Sequence, residues 1–393
     1  MRIIRFLLVS LLSWPFLTFA AFAVTDVPAR AEERCAAGIP LDGEVPPAAI
    51  PRSPLASGEG ITVAIIDTGV APHPQLRHLI AGSDLVSPEE PDSLRDCDAH
   101  GTIVAGIIAA ADRGVAPNSR ILSIRQTSAA TTHTDEVSRA RGSLASLAQA
   151  IDEAVDRGAR VINISVVACL APERARHLDT RVLDSALDRA ERQGAVVVAA
   201  AGNRSNQCED SSVVYPAHSP TVISVGALDD PHSLADYSLS GGANLLSAPG
   251  GLAAGLDPRG PGWISAVGSP DSSGFISSPQ TLIGTSFAAP VVSGIIALLL
   301  ERHPDYSPAR VRAHLFSVAQ PPHGSITAHE VLSASLPPAL PQRSVPELSR
   351  PVPPDLRAQS HARSFALSLG GITLCGVFLW GFAARYGKRN EAG

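Results

Sequence analysis

The sequence predicts an α/β fold: a mainly parallel sheet held between two layers of helices, followed by one C-terminal transmembrane helix. Three observations carry that expectation. Short β-branched runs recur as ITVAIID (61–67), ILSIR (121–125), VINISVV (161–167), AVVVAA (195–200) and TVISVGA (221–227). Their apolar residues are continuous, as in strands covered on both faces. Helical patterns alternate with them, and an uncharged stretch at residues 365–384 is just long enough to cross a bilayer.

The elements follow in order. Residues 32–60 are rich in Pro, Ala and Gly, without periodicity, and form an N-terminal extension too short to be a folding unit of its own. Residues 61–335 make the main domain. Within it, SLASLAQAIDEAVDRGA (143–159) places Leu144, Leu147, Ala148, Ile151 and Val155 on one helical face. Residues 181–192 repeat the scheme through Val182, Leu183, Ala186 and Leu187. Strand and helix in alternation point to a parallel sheet. GTSFAAPVVSG (284–294) opens a long apolar helix that runs on through Ile295, Ile296, Leu298, Leu299 and Leu300. SPARVRAHLFSVA (307–319) offers Ser307 as a cap and Pro308 at the first helical position. The domain ends near Ala334, where a Pro-rich linker (336–362) begins, stiff and extended.

Both ends read as targeting signals. A basic start, an apolar run and small residues define a signal peptide over 1–31, cleaved near 23 or 31. The transmembrane helix spans 363–384. The tail, 385–393, carries Arg385, Lys388 and Arg389, so it stays in the cytoplasm. The formal charge of −6 gives no electrostatic support for nucleic-acid binding. Cys375 lies in the membrane segment; Cys35, Cys97, Cys169 and Cys208 are an even set in an exported domain, which favours two disulfides over metal ligation. Spacing leaves their pairing open. No metal and no cofactor are expected: there is no C-x-x-C pair and no acidic cluster like an EF-hand.

Chemistry gathers at three points. Asp67 ends the first apolar run, where parallel sheets bind ligands. D-T-G also marks aspartic proteases, but those need a second copy and a largely β chain. His100 starts HGTIVAGIIAA, alone among the histidines in preceding a glycine-threonine pair and a long apolar helix. Ser286 lies at the start of the later apolar helix, either as an N-cap or as a nucleophile in the favourable field of a helix N-terminus. Asp, His and Ser in that order would supply an orienting carboxylate, a general base and a nucleophile. GTSFA departs from the G-x-S-x-G elbow of α/β-hydrolases, because Ala288 occupies the second glycine position.

AIIDTGV, HGTIVAGII and GTSFAAPVVSG together resemble the three signature blocks of subtilisin-like serine proteases, with AAAGN (199–203) as a fourth agreement and Ala248-Pro249-Gly250 matching the family's A-P-G turn. The resemblance implies a subtilisin-like three-layer fold and a serine endopeptidase acting on protein or peptide substrates. It assigns Asp67, His100 and Ser286 as the triad, Asn203 as the oxyanion donor, and Ser165, Val166 and Val167 as the strand edge that binds substrate backbone. More narrowly, the whole layout resembles the mycosins, membrane-anchored subtilases of type VII secretion systems. That resemblance implies the pairs Cys35–Cys97 and Cys169–Cys208, a location outside the cytoplasmic membrane, and a type VII secretion membrane complex as partner. It also implies a scaffolding role beside proteolysis. The extension is too short for a folding prodomain and is read as a permanent wrap.

Overall fold

In the computed structural model, residues 35–46, 52–129, 142–270, 275–276 and 278–335 are described, with helical positions 367, 374, 376–377 and 379. The chain divides into two units, Met1–Ser335 and Leu336–Gly393. The signal peptide, linker and tail expected from the sequence lie outside the described residues. So does most of the stretch expected to cross a membrane, of which Leu367, Leu374, Val377 and Leu379 are helical and exposed.

The first unit opens with β1 (Ala37–Pro40), β2 (Thr62–Asp67), β3 (Leu79–Asp84), α1 (His100–Ala109) and β4 (Arg120–Arg125). Next come α2 (Leu144–Asp156), β5 (Val161–Ile164), β6 (Ala168–Leu170), α3 (Pro172–Arg176), α4 (Arg181–Gln193) and β7 (Val196–Ala200). β8 (Val213–Tyr215), β9 (Ile223–Asp230), β10 (Ser233–Leu234), β11 (Leu245–Pro249) and β12 (Gly255–Leu256) follow. The unit closes with β13 (Trp263–Gly268), β14 (Gln280–Thr281), α5 (Thr285–Arg302), α6 (Pro308–Val318) and α7 (Ala328–Ser333).

The main sheet runs β10-β9-β7-β5-β2-β4-β3, with β11 also on β9. Only β10 is antiparallel to its neighbour. The continuous apolar runs meet their explanation here. Alternate residues of each strand enter different cores: Val63 and Ile65 join α1 and α5 on one face, whereas Ala64 and Ile66 join α2 and α4 on the other. β4 and β5 leave β2 in opposite directions, so the carboxyl end of β2 is a topological switch point.

Helix α5 is apolar all round because it is buried all round. Ile295, Ile296, Leu298, Leu299 and Leu300 have no exposed surface. Its length and hydropathy would suit a membrane, yet it is the core helix of this unit. Ser307 caps α6 by accepting from the Arg310 N–H, with Pro308 at the first position, as its sequence requires.

The extension forms part of a second sheet. β1 pairs antiparallel with β13, which also pairs with β12 and β14. Both disulfides are present, Cys35–Cys97 and Cys169–Cys208. The first ties the extension to the loop before α1, and the Ala36 N–H adds a 2.8 Å bond to the Cys97 carbonyl. One expected strand is shorter than its sequence pattern: β5 stops at Ile164, and residues 165–167 continue as irregular backbone before β6 turns to pair with β8. The apolar run continues there because Val167 packs on both cores.

Candidate active site

The pleat delivers Asp67. It lies two residues beyond Ile65 and so shares the face of β2 that carries α1 and α5. Those two helices begin at His100 and Thr285, which brings three distant segments to one rim. Close backbone approach makes the convergence possible. A Cβ on Gly101 would collide with the Gly69 carbonyl oxygen, and Gly69 itself has φ +107°.

His100 Nδ1 donates to Asp67 Oδ1 at 2.6 Å, which fixes the tautomer and leaves Nε2 available to the cleft. Asp67 is fully buried, and its Oδ1 also accepts from the Thr68 N–H at 2.8 Å. Burial alone would push the His100 pKa down. The Asp67 charge and hydrogen bond outweigh it, helped by Asp96 and Asp98, and the net shift is upward.

Ser286 is the second residue of α5, and the N-cap position belongs to Gly284. The capping alternative for this serine is therefore set aside. Its hydroxyl donates to the Ser165 carbonyl at 3.0 Å, and the Ser165 hydroxyl donates to the Ser286 carbonyl at 2.8 Å. Pro290 explains the second bond. It stands four residues on and has no N–H, so it cannot satisfy the Ser286 carbonyl within the helix. Asn163 braces the arrangement: its Nδ2 donates to Ser165 Oγ at 2.9 Å, while its Oδ1 accepts from Ser293 Oγ at 2.9 Å.

Asn203 lies at the cleft surface just beyond β7. Its Oδ1 accepts from both the N–H and the hydroxyl of Thr285, each at 3.0 Å. With the oxygen so occupied, Nδ2 is the end left to act as a donor. His100, Asn203 and Ser286 line one cleft of about 230 Å³, together with Asp98, Ile103, Val267, Leu282, Ile283 and Phe287. The His100 and Phe287 rings lie 5.5 Å apart between centroids.

The four residues singled out by motif are thus brought together, and Ser165 is with them. Val166 and Val167 are half-buried beyond Ser165. Sequence reasoning passed over Asp96, Asp98 and Pro290. Asp96 and Asp98, two acids just before His100, carried no signal beyond that of a polar loop; Asp98 accepts from the Ser128 hydroxyl and Ala129 N–H at the cleft edge.

An orienting carboxylate, an imidazole, a hydroxyl and an amide donor on a doubly wound sheet define a subtilisin-like serine endopeptidase, and the chain belongs to the subtilase family, whose profile matches residues 58–344. Within that family it stands with the mycosins. Over 379 residues it is 35% identical to Mycosin-4 of Mycobacterium tuberculosis (strain ATCC 25618 / H37Rv), covering 86% of this chain and 80% of that one. The solved structure of the MycP3 protease from the type VII (ESX-3) secretion system matches with a TM-score of 0.66 at 34% identity, over 77% of this chain and 93% of that one. A chain in the structure of an intact ESX-5 inner membrane complex matches with a TM-score of 0.67 at 32% identity, over 89% and 94%.

Proposed function

We propose that this chain is a membrane-anchored endopeptidase that works on the outer side of the cytoplasmic membrane and processes substrates of a type VII secretion system. The observation that carries the chemistry is the 2.6 Å Asp67–His100 bond at the wall of the cleft that also holds Ser286 and Asn203. In this reading the Ser286 hydroxyl turns from the Ser165 carbonyl toward His100 Nε2 and attacks the peptide carbonyl as the imidazole takes its proton. Asp67 stabilises the imidazolium. Asn203 Nδ2 and the Ser286 N–H receive the oxyanion. His100 then gives its proton to the leaving amine, and water hydrolyses the acyl-enzyme by the same route. The Ser165 carbonyl, released by the serine, joins Val166 and Val167 in holding the substrate backbone.

The transmembrane helix at 363–384 and the positive tail support an anchor with the peptidase outside and the C-terminus in the cytoplasm. Likeness to the MycP3 protease and to a chain of the ESX-5 inner membrane complex supports the secretion assignment. The latter likeness also favours a second reading, in which the domain mainly stabilises the secretion complex and proteolysis is secondary. Comparing exported proteins from cells with wild type, Ser286→Ala and a deletion separates the two. Loss of processed species in Ser286→Ala supports the first reading. Normal processing in that strain, with secretion lost only on deletion, supports the second.

A further inference from the structure

Behind the Asp67–His100 pair lies a second carboxylate, Asp96, that the proposed reaction leaves unused; the role inferred for it rests on that reading of the site. Asp96 is buried, and its two oxygens receive four hydrogen bonds. Oδ1 accepts from the Thr68 hydroxyl at 2.8 Å and the Asp98 N–H at 3.2 Å. Oδ2 accepts from the Thr102 hydroxyl at 2.6 Å and the Thr102 N–H at 2.8 Å. Both threonine hydroxyls accept in turn: Thr68 from the Gly101 N–H at 3.0 Å, and Thr102 from the Ala71 N–H at 2.9 Å. Asp96 therefore ties the loop after β2 to the first turn of α1, the two segments that carry Asp67 and His100.

Thr68 is the bridge. Its N–H serves Asp67 Oδ1 at 2.8 Å, while its hydroxyl, 3.3 Å from that same oxygen, has one proton and gives it to the nearer Asp96. Its carbonyl is held by Arg125 Nε at 3.2 Å, and Arg125 is itself paired with Asp84 at 3.0 Å. Thr68 is thus clamped at all three polar groups.

We propose that Asp96 is a positioning residue for hydrolysis: ionised, it holds Thr68 and Thr102 so that Asp67 and His100 stay in register, and its charge favours the imidazolium. The groups facing it are Asp67 from β2, His100 from α1 and Asp98 from the turn between. Burial pushes the Asp96 carboxyl up to about 6; the threonine bonds oppose this and the Asp67 charge adds to it. A protonated Asp96 cannot accept from all four donors, so the clamp loosens as it takes up its proton. Two groups, His100 and Asp96, then shape the acid limb of activity.

The test is the second-order rate of labelling of the full chain in detergent by a small fluorophosphonate, followed from pH 4.5 to 9. For wild type, the logarithmic acid limb should be steeper than one proton. Asp96→Asn should give a one-proton limb displaced to lower pH and a plateau reduced by about 10-fold or more. Thr68→Val keeps the N–H to Asp67 and loses the bridge, so its plateau should fall similarly, with a Tm lowered by the Gly101 N–H it leaves unpaired. An Asp96→Asn limb that stays where the wild-type limb lies overturns the proposal, whatever its plateau does, because a loop staple would leave the limb in place. If Asp96→Asn does not fold, Thr68→Val decides, and a wild-type plateau there overturns it. Wild type that takes no label sinks the peptidase reading and this assignment with it.

Discussion

His100 has a side chain 27% exposed, whereas Asp67 behind it has no exposed surface, and that asymmetry sets the pH behaviour of the site. In the proposed reaction His100 must be neutral to act as base, and its pKa is raised, by Asp67 against the opposing effect of burial. Activity should therefore switch on, as pH rises, with a midpoint above the ordinary imidazole value. Stability runs the other way: the ion pair favours the fold at low pH, and that contribution is lost as pH rises through the raised pKa. A kcat/KM profile with its acid midpoint below the ordinary histidine value contradicts this. Asn203→Ala removes the proposed oxyanion donor and should lower kcat by about 10²–10³-fold with little change in KM, a magnitude that comes from subtilisins themselves. Equal kcat in steady-state assays would remove Asn203 from the oxyanion site. Each of these residues was legible because its motif places it at a strand end or helix start. Asp96 was not, since an acid in a short polar loop reads as solvated until the packing of Thr68 and Thr102 around it is seen.

At the scale of elements, the proline in GTSFAAP gains a physical meaning. Pro290 leaves the Ser286 carbonyl without a helical donor, and Ser165 fills the gap from another chain segment. Ser165→Ala should therefore destabilise the chain by about 1–3 kcal/mol, the cost of an unsatisfied buried acceptor. The share of that loss due to the Ser286 carbonyl should disappear in a Pro290→Ala background, where residue 290 regains an N–H for it, while the share due to Asn163 Nδ2, left without Ser165 Oγ, should remain. Thermal or denaturant melts of the two singles and the double measure it, and equal losses in both backgrounds would refute the coupling. Strands β2, β4, β5, β7 and β9 of the main sheet were readable from continuous apolar runs, and α2 and α4 from their helical faces. β3, β10 and β11 of the same sheet were not, nor were β1, β6, β8 and β12 to β14. They are two to six residues long, and β1 lies in a Pro-rich stretch whose strand state depends on pairing with β13, a contact no local pattern encodes.

For the whole molecule, the extension is a structural strap. β1 adds to a sheet that also contains β14, next to the cleft residues Leu282 and Ile283, and Cys35–Cys97 fastens it three residues before His100. Arg113 adds hydrogen bonds to the Val45 and Pro46 carbonyls. Breaking that bridge opens a loop with a sequence separation of 62, worth about 4 kcal/mol by chain entropy. Cys35→Ser with Cys97→Ser should thus lower Tm by several degrees and reduce kcat through the loosened start of α1. A double variant with wild-type Tm and kcat would make the strap dispensable.

The most direct measurement is fluorophosphonate labelling of the full-length protein, followed by peptide mapping of the modified residue. One adduct is expected, on Ser286, together with cleavage of an unfolded protein substrate, and both should vanish in Ser286→Ala. Labelling at another residue, or cleavage that survives Ser286→Ala, would contradict the central claim.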